Sequence, residues 1–100
     1  MRRSKLEMYI DILKVLAHHG PLKLTHIMYK ANVNCSVLKQ YLDFLIQRNL
    51  VEEQTFRKKK NKRVVYAVTE RGRTVLEYFR KLNSALQITE EANKIPALLY

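Results

Sequence analysis

The 100-residue chain is poor in several things: one cysteine, no tryptophan, two glycines, two prolines and only nine acidic residues. Each shortage excludes something. A single cysteine excludes an internal disulfide and fits a reducing cytoplasm. So few glycines and prolines argue against a linker, a low-complexity segment or a second domain, and no internal repeat is visible. No apolar run is long enough to span a bilayer, and no secretory signal opens the chain. There is no glycine-rich phosphate loop and no nucleophile motif. The three histidines, His18, His19 and His26, have no cysteine or carboxylate cluster at ligand spacing and read as surface residues. Cys35 has no evident base or metal partner and reads as a small packing residue. The expectation is a cytoplasmic, non-enzymatic protein without cofactor, metal or membrane attachment.

What the chain has is positive charge. Nineteen Lys and Arg against nine Asp and Glu leave +10. An excess of this size on a small chain points to a polyanion, either nucleic acid or an anionic membrane surface. The 47% of apolar residues is ordinary for a soluble domain and supplies one modest core.

The stretch from Val33 to Val51 reads as one helix with its own start and stop. The Asn34 side chain suits the orphan N–H groups of a first turn. Asn49 suits the left-handed conformation just past a last turn. Leu38, Tyr41, Leu42 and Leu45 share one face at helical spacing. Ser36, Lys39, Gln40, Asp43 and Gln47 share the opposite one. That polar face is either the solvated side of an amphipathic helix or a set of hydrogen-bonding groups aimed at base edges in a major groove.

Around it the chain reads in order. Ser4 and Glu7 match a capping box that starts a first helix. Leu6, Tyr9, Ile10, Leu13, Leu16 and Ala17 form one apolar face, and Met8, Ile12 and Val15 form a second stripe. Gly20 and Pro21 stop this helix. Leu22 to Leu24 is a very short strand. A second helix runs roughly from Thr25 to Ala31 with Ile27 and Met28 inward, and helix, short turn, helix is the helix-turn-helix arrangement. Beyond Asn49 the pattern alternates, giving strands over Val51–Phe56 and Arg63–Thr69. Between them six of the seven residues from Arg57 to Arg63 are cationic. They read as a charged loop whose mutual repulsion phosphates would relieve. Thr69 caps a last helix. Val75, Phe79, Leu82 and Leu86 make a narrow seam on it, suited to a coiled-coil contact or to packing on the first helix. Ile88 leaves the seam, so this helix is expected to end or kink near Gln87, with Thr89-Glu90-Glu91 capping an extra turn. Pro96 breaks any helix beyond it.

The order of elements resembles a winged helix-turn-helix domain. GPLKLTHIMYKANVNCSVLKQYLDFLIQRNLVEE is similar to the helix-turn-helix core of that class, with LTHI entering the second helix. RVVYAVTERGRTVLE resembles the second wing strand and the following helix. The likeness covers about Leu6 to Leu86 and extends to small archaeal proteins of this type, some chromatin-associated, that dimerise through a C-terminal antiparallel coiled coil. It implies a mainly α fold with a small β-hairpin, a winged helix-turn-helix domain over residues 1–70, a dimerisation helix over 69–93 and a tail over 94–100.

It further implies a transcription regulator or chromatin protein that binds double-stranded DNA as a homodimer. The recognition helix would span about 35–48 and the basic wing 57–63. Ser36, Lys39 and Gln40 would face bases. Asp43 would accept from a cytosine amino group while repelling phosphate. Arg57, Lys58, Lys59, Lys60, Lys62 and Arg63 would hold the minor groove or flanking phosphates, with Lys23, Thr25 and an Arg2/Arg3 arm adding backbone contacts. Val75, Phe79, Leu82 and Leu86 would form the dimer seam. An RNA-binding or protein-docking module of the same fold remains open at this point, since the basic wing would serve it equally well.

Overall fold

A computed structural model describes residues 3–92, with side chains to residue 86. The order is α1 (Lys5–His19), α2 (Leu24–Ala31), α3 (Cys35–Gln47), β1 (Val51–Lys58), β2 (Asn61–Val68) and α4 (Glu70–Ala92). This is the α+β arrangement of a winged helix, with its hairpin between the third and last helices.

Local signals set most boundaries. Ser4 accepts from the Glu7 N–H at 3.1 Å, and the Glu7 carboxylate accepts from the Ser4 N–H at 2.7 Å, closing the capping box. Gly20 ends α1 at φ 83°, a conformation that favours glycine. Asn32 and Asn49 take the left-handed conformation after α2 and α3, at φ 56° and 61°. Leu22 forms a lone bridge to Tyr66, with both N–H···O bonds made at 2.8 and 3.0 Å, so the short strand lies on the outer edge of β2.

The core is built from Ile10, Ile12, Leu13 and Leu16 of α1, Ile27 and Ala31 of α2, Val33 of the turn, Leu38, Leu42 and Leu45 of α3, and Val51. One expectation for α1 changes. Leu6, placed on the core face, is 60% exposed, whereas Ile12 of the second stripe is fully buried. The helix lies across α2, β2 and α4 together, so its buried arc is centred on neither stripe alone. Nor does α4 stop near Gln87, as it continues to Ala92. The turn expected at Thr89–Glu91 is part of that helix. Residues 93–100, with Pro96 and the tail, lie outside the described residues.

The end of α3 is stitched to the start of α4. Thr69 donates its hydroxyl to the Asn49 carbonyl at 2.6 Å and accepts from the Gly72 N–H at 3.0 Å, while its own N–H donates to the Leu50 carbonyl at 3.1 Å. Gly72 is buried, and a β-carbon there would overlap the Leu50 carbonyl oxygen and the Val68 side chain. The close approach of α4 to the hairpin base therefore requires glycine, a need the sequence pattern does not reveal.

Candidate nucleic-acid interface

The polar side of α3 is held outward by what lies behind it. Leu38, Leu42 and Leu45 are buried, and Tyr9 of α1 stacks on Phe44 at 4.7 Å and meets Tyr41 edge-on at 5.0 Å. Arg48 closes this cluster, its guanidinium 4.8 Å from the Phe44 ring centre. Ser36, Lys39, Gln40, Asp43 and Gln47 are all exposed on the front. Asn34 caps the helix by accepting from the Val37 N–H at 3.0 Å, and Ser36 donates to the same Asn34 oxygen at 3.1 Å. Ser36 is thus partly committed to the cap, whereas Lys39 and Gln40 make no side-chain hydrogen bond among the described residues. Cys35 is exposed at the first helical position rather than packed, because the turn buries Val33 in its place.

The N-terminal arm departs from expectation. Arg3 does not reach outward. Its guanidinium donates to Asp11 and to the Ala31 carbonyl, each at 2.8 Å, and to the Asn32 carbonyl. It therefore clamps α1 to the C-terminal end of α2, where a cation meets the helix's free carbonyls. Arg2 lies outside the described residues. Lys23 and Thr25 are exposed at the start of α2, and Lys23, at the N-cap, makes no side-chain capping bond.

The paired part of the wing is longer than the sequence pattern indicates. The strands pair from Val51↔Val68 to Lys58↔Asn61, leaving only Lys59 and Lys60 as the turn. Four of the six cations expected in a loop therefore stand on paired strands. Lysine is a weak strand former, so residue type alone points to a shorter hairpin. Arg57 lies directly opposite Lys62, a like-charge pair that weakens a hairpin. Lys59 has φ 56°, which is unfavourable for a residue with a side chain. All six cations are exposed, and among the described residues none of them is in an ion pair.

Between the wing and α3 the charge changes sign. Burial raises the Tyr66 phenol above its usual pKa, and the nearby Glu53 and then Asp43 carboxylates raise it further. Glu53 pairs across the strands with Tyr66, and Asp43 on the α3 front also acts on that phenol, so the two carboxylates form an acidic strip shared by the wing and α3.

The seam on α4 divides in two. Val75 and Phe79, with Leu76, are half-buried against the core, and Lys14 of α1 lies 5.7 Å from the Phe79 ring centre. Leu82 and Leu86 are 57% and 51% exposed, as is Tyr78 at 66%. A groove of about 760 Å³ runs between α1 and α4 past Ala17, Leu76 and Phe79. Among the described residues, no group of histidine, cysteine, aspartate or glutamate could hold a metal ion, and no helix is long and apolar enough to cross a membrane.

A family model described as winged helix-turn-helix matches residues 2–87. An uncharacterized protein of the archaeon Methanocaldococcus jannaschii is 32% identical over 87 residues, covering 83% of this chain and 80% of that protein. A PadR family transcription regulator from Clostridium difficile superposes with a TM-score of 0.70 at 17% identity, over 84% of this chain and 96% of the regulator. A MarR family transcriptional regulator from Silicibacter pomeroyi gives the same TM-score and identity over 83% of this chain, which spans 55% of that longer protein. At such identities the two regulators establish likeness of fold alone.

Proposed function

The chain belongs to the winged helix-turn-helix family, and we propose that it is a DNA-binding transcription regulator or chromatin protein that acts as a homodimer in the cytoplasm. The observation that carries this reading is the wing. Six cations crowd one hairpin tip, two of them directly opposed and none neutralised by a carboxylate among the described residues. Phosphates beside the hairpin would remove that repulsion. Arg57, Lys58, Lys59, Lys60, Lys62 and Arg63 are the residues assigned to this contact.

The α3 front supplies the reading surface. Lys39 suits guanine acceptors and Gln40 suits adenine, with Ser36 contributing what its capping bond leaves free. Asp43 and Glu53 repel phosphate, so the sugar-phosphate strands would pass on either side of the acidic strip, along the wing and along the start of α2. There Lys23, Thr25 and the free N–H groups of the helix favour an anion. Asp43 then accepts from a cytosine amino group.

Residues 69–93 are assigned to dimerisation. Val75 and Phe79 pack partly within their own chain, so the inter-chain contact falls mainly on Leu82 and Leu86, joined by the exposed Tyr78. Paired α4 helices would carry two reading surfaces and raise affinity through linked binding. The test combines two measurements on the whole chain. Duplex DNA should outcompete structured RNA for the protein, and light scattering should give twice the chain mass. Leu82→Asp with Leu86→Asp should give a folded monomer that binds DNA more weakly. Preference for the RNA would transfer the wing to an RNA-binding module, and a monomeric wild type would remove the dimer.

A further inference from the structure

The hairpin has a second face, of which the reading above uses only the cations Lys58 and Arg63. Alternation places Val51, Glu53, Thr55 and Arg57 with their partners Val68, Tyr66, Val64 and Lys62 on the side of the core and α3. The other side carries Gln54, Phe56 and Lys58 with Val65, Arg63 and Asn61. Val65 and Ala67 are 8% exposed there yet stand apart from the core cluster. Pro21, just before the Leu22 bridge to β2, completes a shallow depression of about 380 Å³ with Phe56 and Val65 as its apolar walls. Phe56 is 55% exposed, although a phenylalanine on a small domain has every reason to be covered.

The surroundings of Phe56 are cationic. Arg63 lies directly across from it, Lys58 is two residues along the same face, and Lys59 and Lys60 form the adjoining turn. The acidic residue on this face, Glu52, already accepts from the Gln54 amide at 2.9 Å. An exposed aromatic ring in an apolar hollow, rimmed by cations, matches a flat base whose own phosphate lies a few ångströms away. A paired base cannot use it, because its faces are covered by its neighbours in the stack. The match is to an unpaired nucleotide.

We propose that this outer face of the wing is a stacking site for one unpaired nucleotide of single-stranded or looped nucleic acid, with Phe56 as the platform and Lys58 and Arg63 holding the flanking phosphates. The proposal rests on the reading of the chain as a nucleic-acid-binding protein and adds a second kind of substrate to it. Bases stacked on Phe56 would be drawn from melted or looped segments next to a duplex held by α3.

The test is fluorescence anisotropy of the full chain with a single-stranded DNA of about twelve nucleotides, the same sequence as RNA, and the corresponding DNA duplex, all at one salt concentration. Phe56→Ala should weaken single-strand binding by roughly tenfold, as expected for loss of one stacked base. It should leave duplex binding within about twofold, and Phe56→Tyr should restore the loss. The two single strands show whether the sugar matters to the site. An unchanged single-strand affinity in Phe56→Ala, or an equal loss on the duplex, overturns the site. A change of molar mass without a change of affinity overturns it also, and gives the face to a second copy of the chain. A wild type that binds duplex but no single strand removes this inference and leaves the DNA reading standing, whereas binding to none of the three removes both. Phe56 is largely exposed, so thermal unfolding of the variants should match wild type.

Discussion

The base and the tip of the wing are built from the same two strands and follow opposite rules. At the base the polar groups are paired through Thr69. Val51 is buried, Thr69 joins the ends of α3 and β2 to the start of α4, and Gly72 lets the helix touch the Leu50 carbonyl. At the tip Arg57 faces Lys62 and Lys59 sits in a left-handed conformation. One end lowers the free energy of the fold, while the other holds charge that no ion pair neutralises among the described residues. Binding surfaces are commonly placed where stability has been given up, and the proposed phosphate contact lies about 20 Å along the hairpin from its base, at roughly 3.3 Å per residue.

The sharpest way to break the contrast is at the base. Gly72→Ala should raise helix propensity by about 1 kcal/mol, so a purely local view expects stabilisation. The overlap is with a backbone carbonyl that accepts the Thr69 N–H and cannot retreat without losing that bond. Such overpacking outweighs propensity, and the net loss should be about 2 kcal/mol. For a domain of this size that lowers Tm by about 8–16 °C. An unchanged or raised Tm in calorimetry would show that the base has slack.

At the tip the expected response is reversed. Replacing Lys58, Lys59, Lys60 and Lys62 by Ala should leave Tm unchanged or slightly raised, because the repulsive pair is removed. DNA affinity should fall at all sequences alike. If three or four phosphates are lost, the slope of log affinity against log salt should shrink by about 3 to 4 units. A constant slope would make the tip a solvated turn. A comparison with α3 sharpens this. Lys39→Ala or Gln40→Ala should remove roughly 1–3 kcal/mol at a preferred site and less on random DNA. Equal losses on both would mean that α3 touches only backbone.

The same contrast governs how much could be read from the residues alone. Caps and stops were legible because each depends on a few consecutive residues: Ser4 with Glu7, Gly20, Asn34, Asn49 and Thr69. The buried positions Leu38, Leu42 and Leu45 and the exposed front of α3 followed from period alone. Three features were not legible because tertiary placement decides them. Gly72 matters through a carbonyl 22 residues earlier in the chain. Arg3 turns inward because the end of α2 offers two carbonyls beside Asp11. The paired length of the hairpin defeats the low strand preference of lysine, since the strands are already in register from Val51↔Val68 onward.

The smallest expected effect lies on the acidic strip between the two regimes. Tyr66 holds its proton above the usual tyrosine value, first through burial, then through Glu53 and last through Asp43. Ultraviolet titration of the phenol should therefore show a larger downward shift in Glu53→Gln than in Asp43→Asn. Because the folded state keeps this proton longer than the unfolded chain, the native form binds more protons in that window. Stability should fall as pH rises from the ordinary tyrosine value of 10.0 through the raised one. Tyr66→Phe should remove that part of the alkaline loss. The two carboxylate variants also separate the strip's roles. Both remove a negative charge from the path of the phosphates, so both should tighten binding to random DNA slightly. If Asp43 reads a cytosine, Asp43→Asn should in addition weaken the preferred site relative to random DNA, whereas Glu53→Gln should not. Identical behaviour of the two variants would reduce Asp43 to a spacer that keeps phosphates toward the wing.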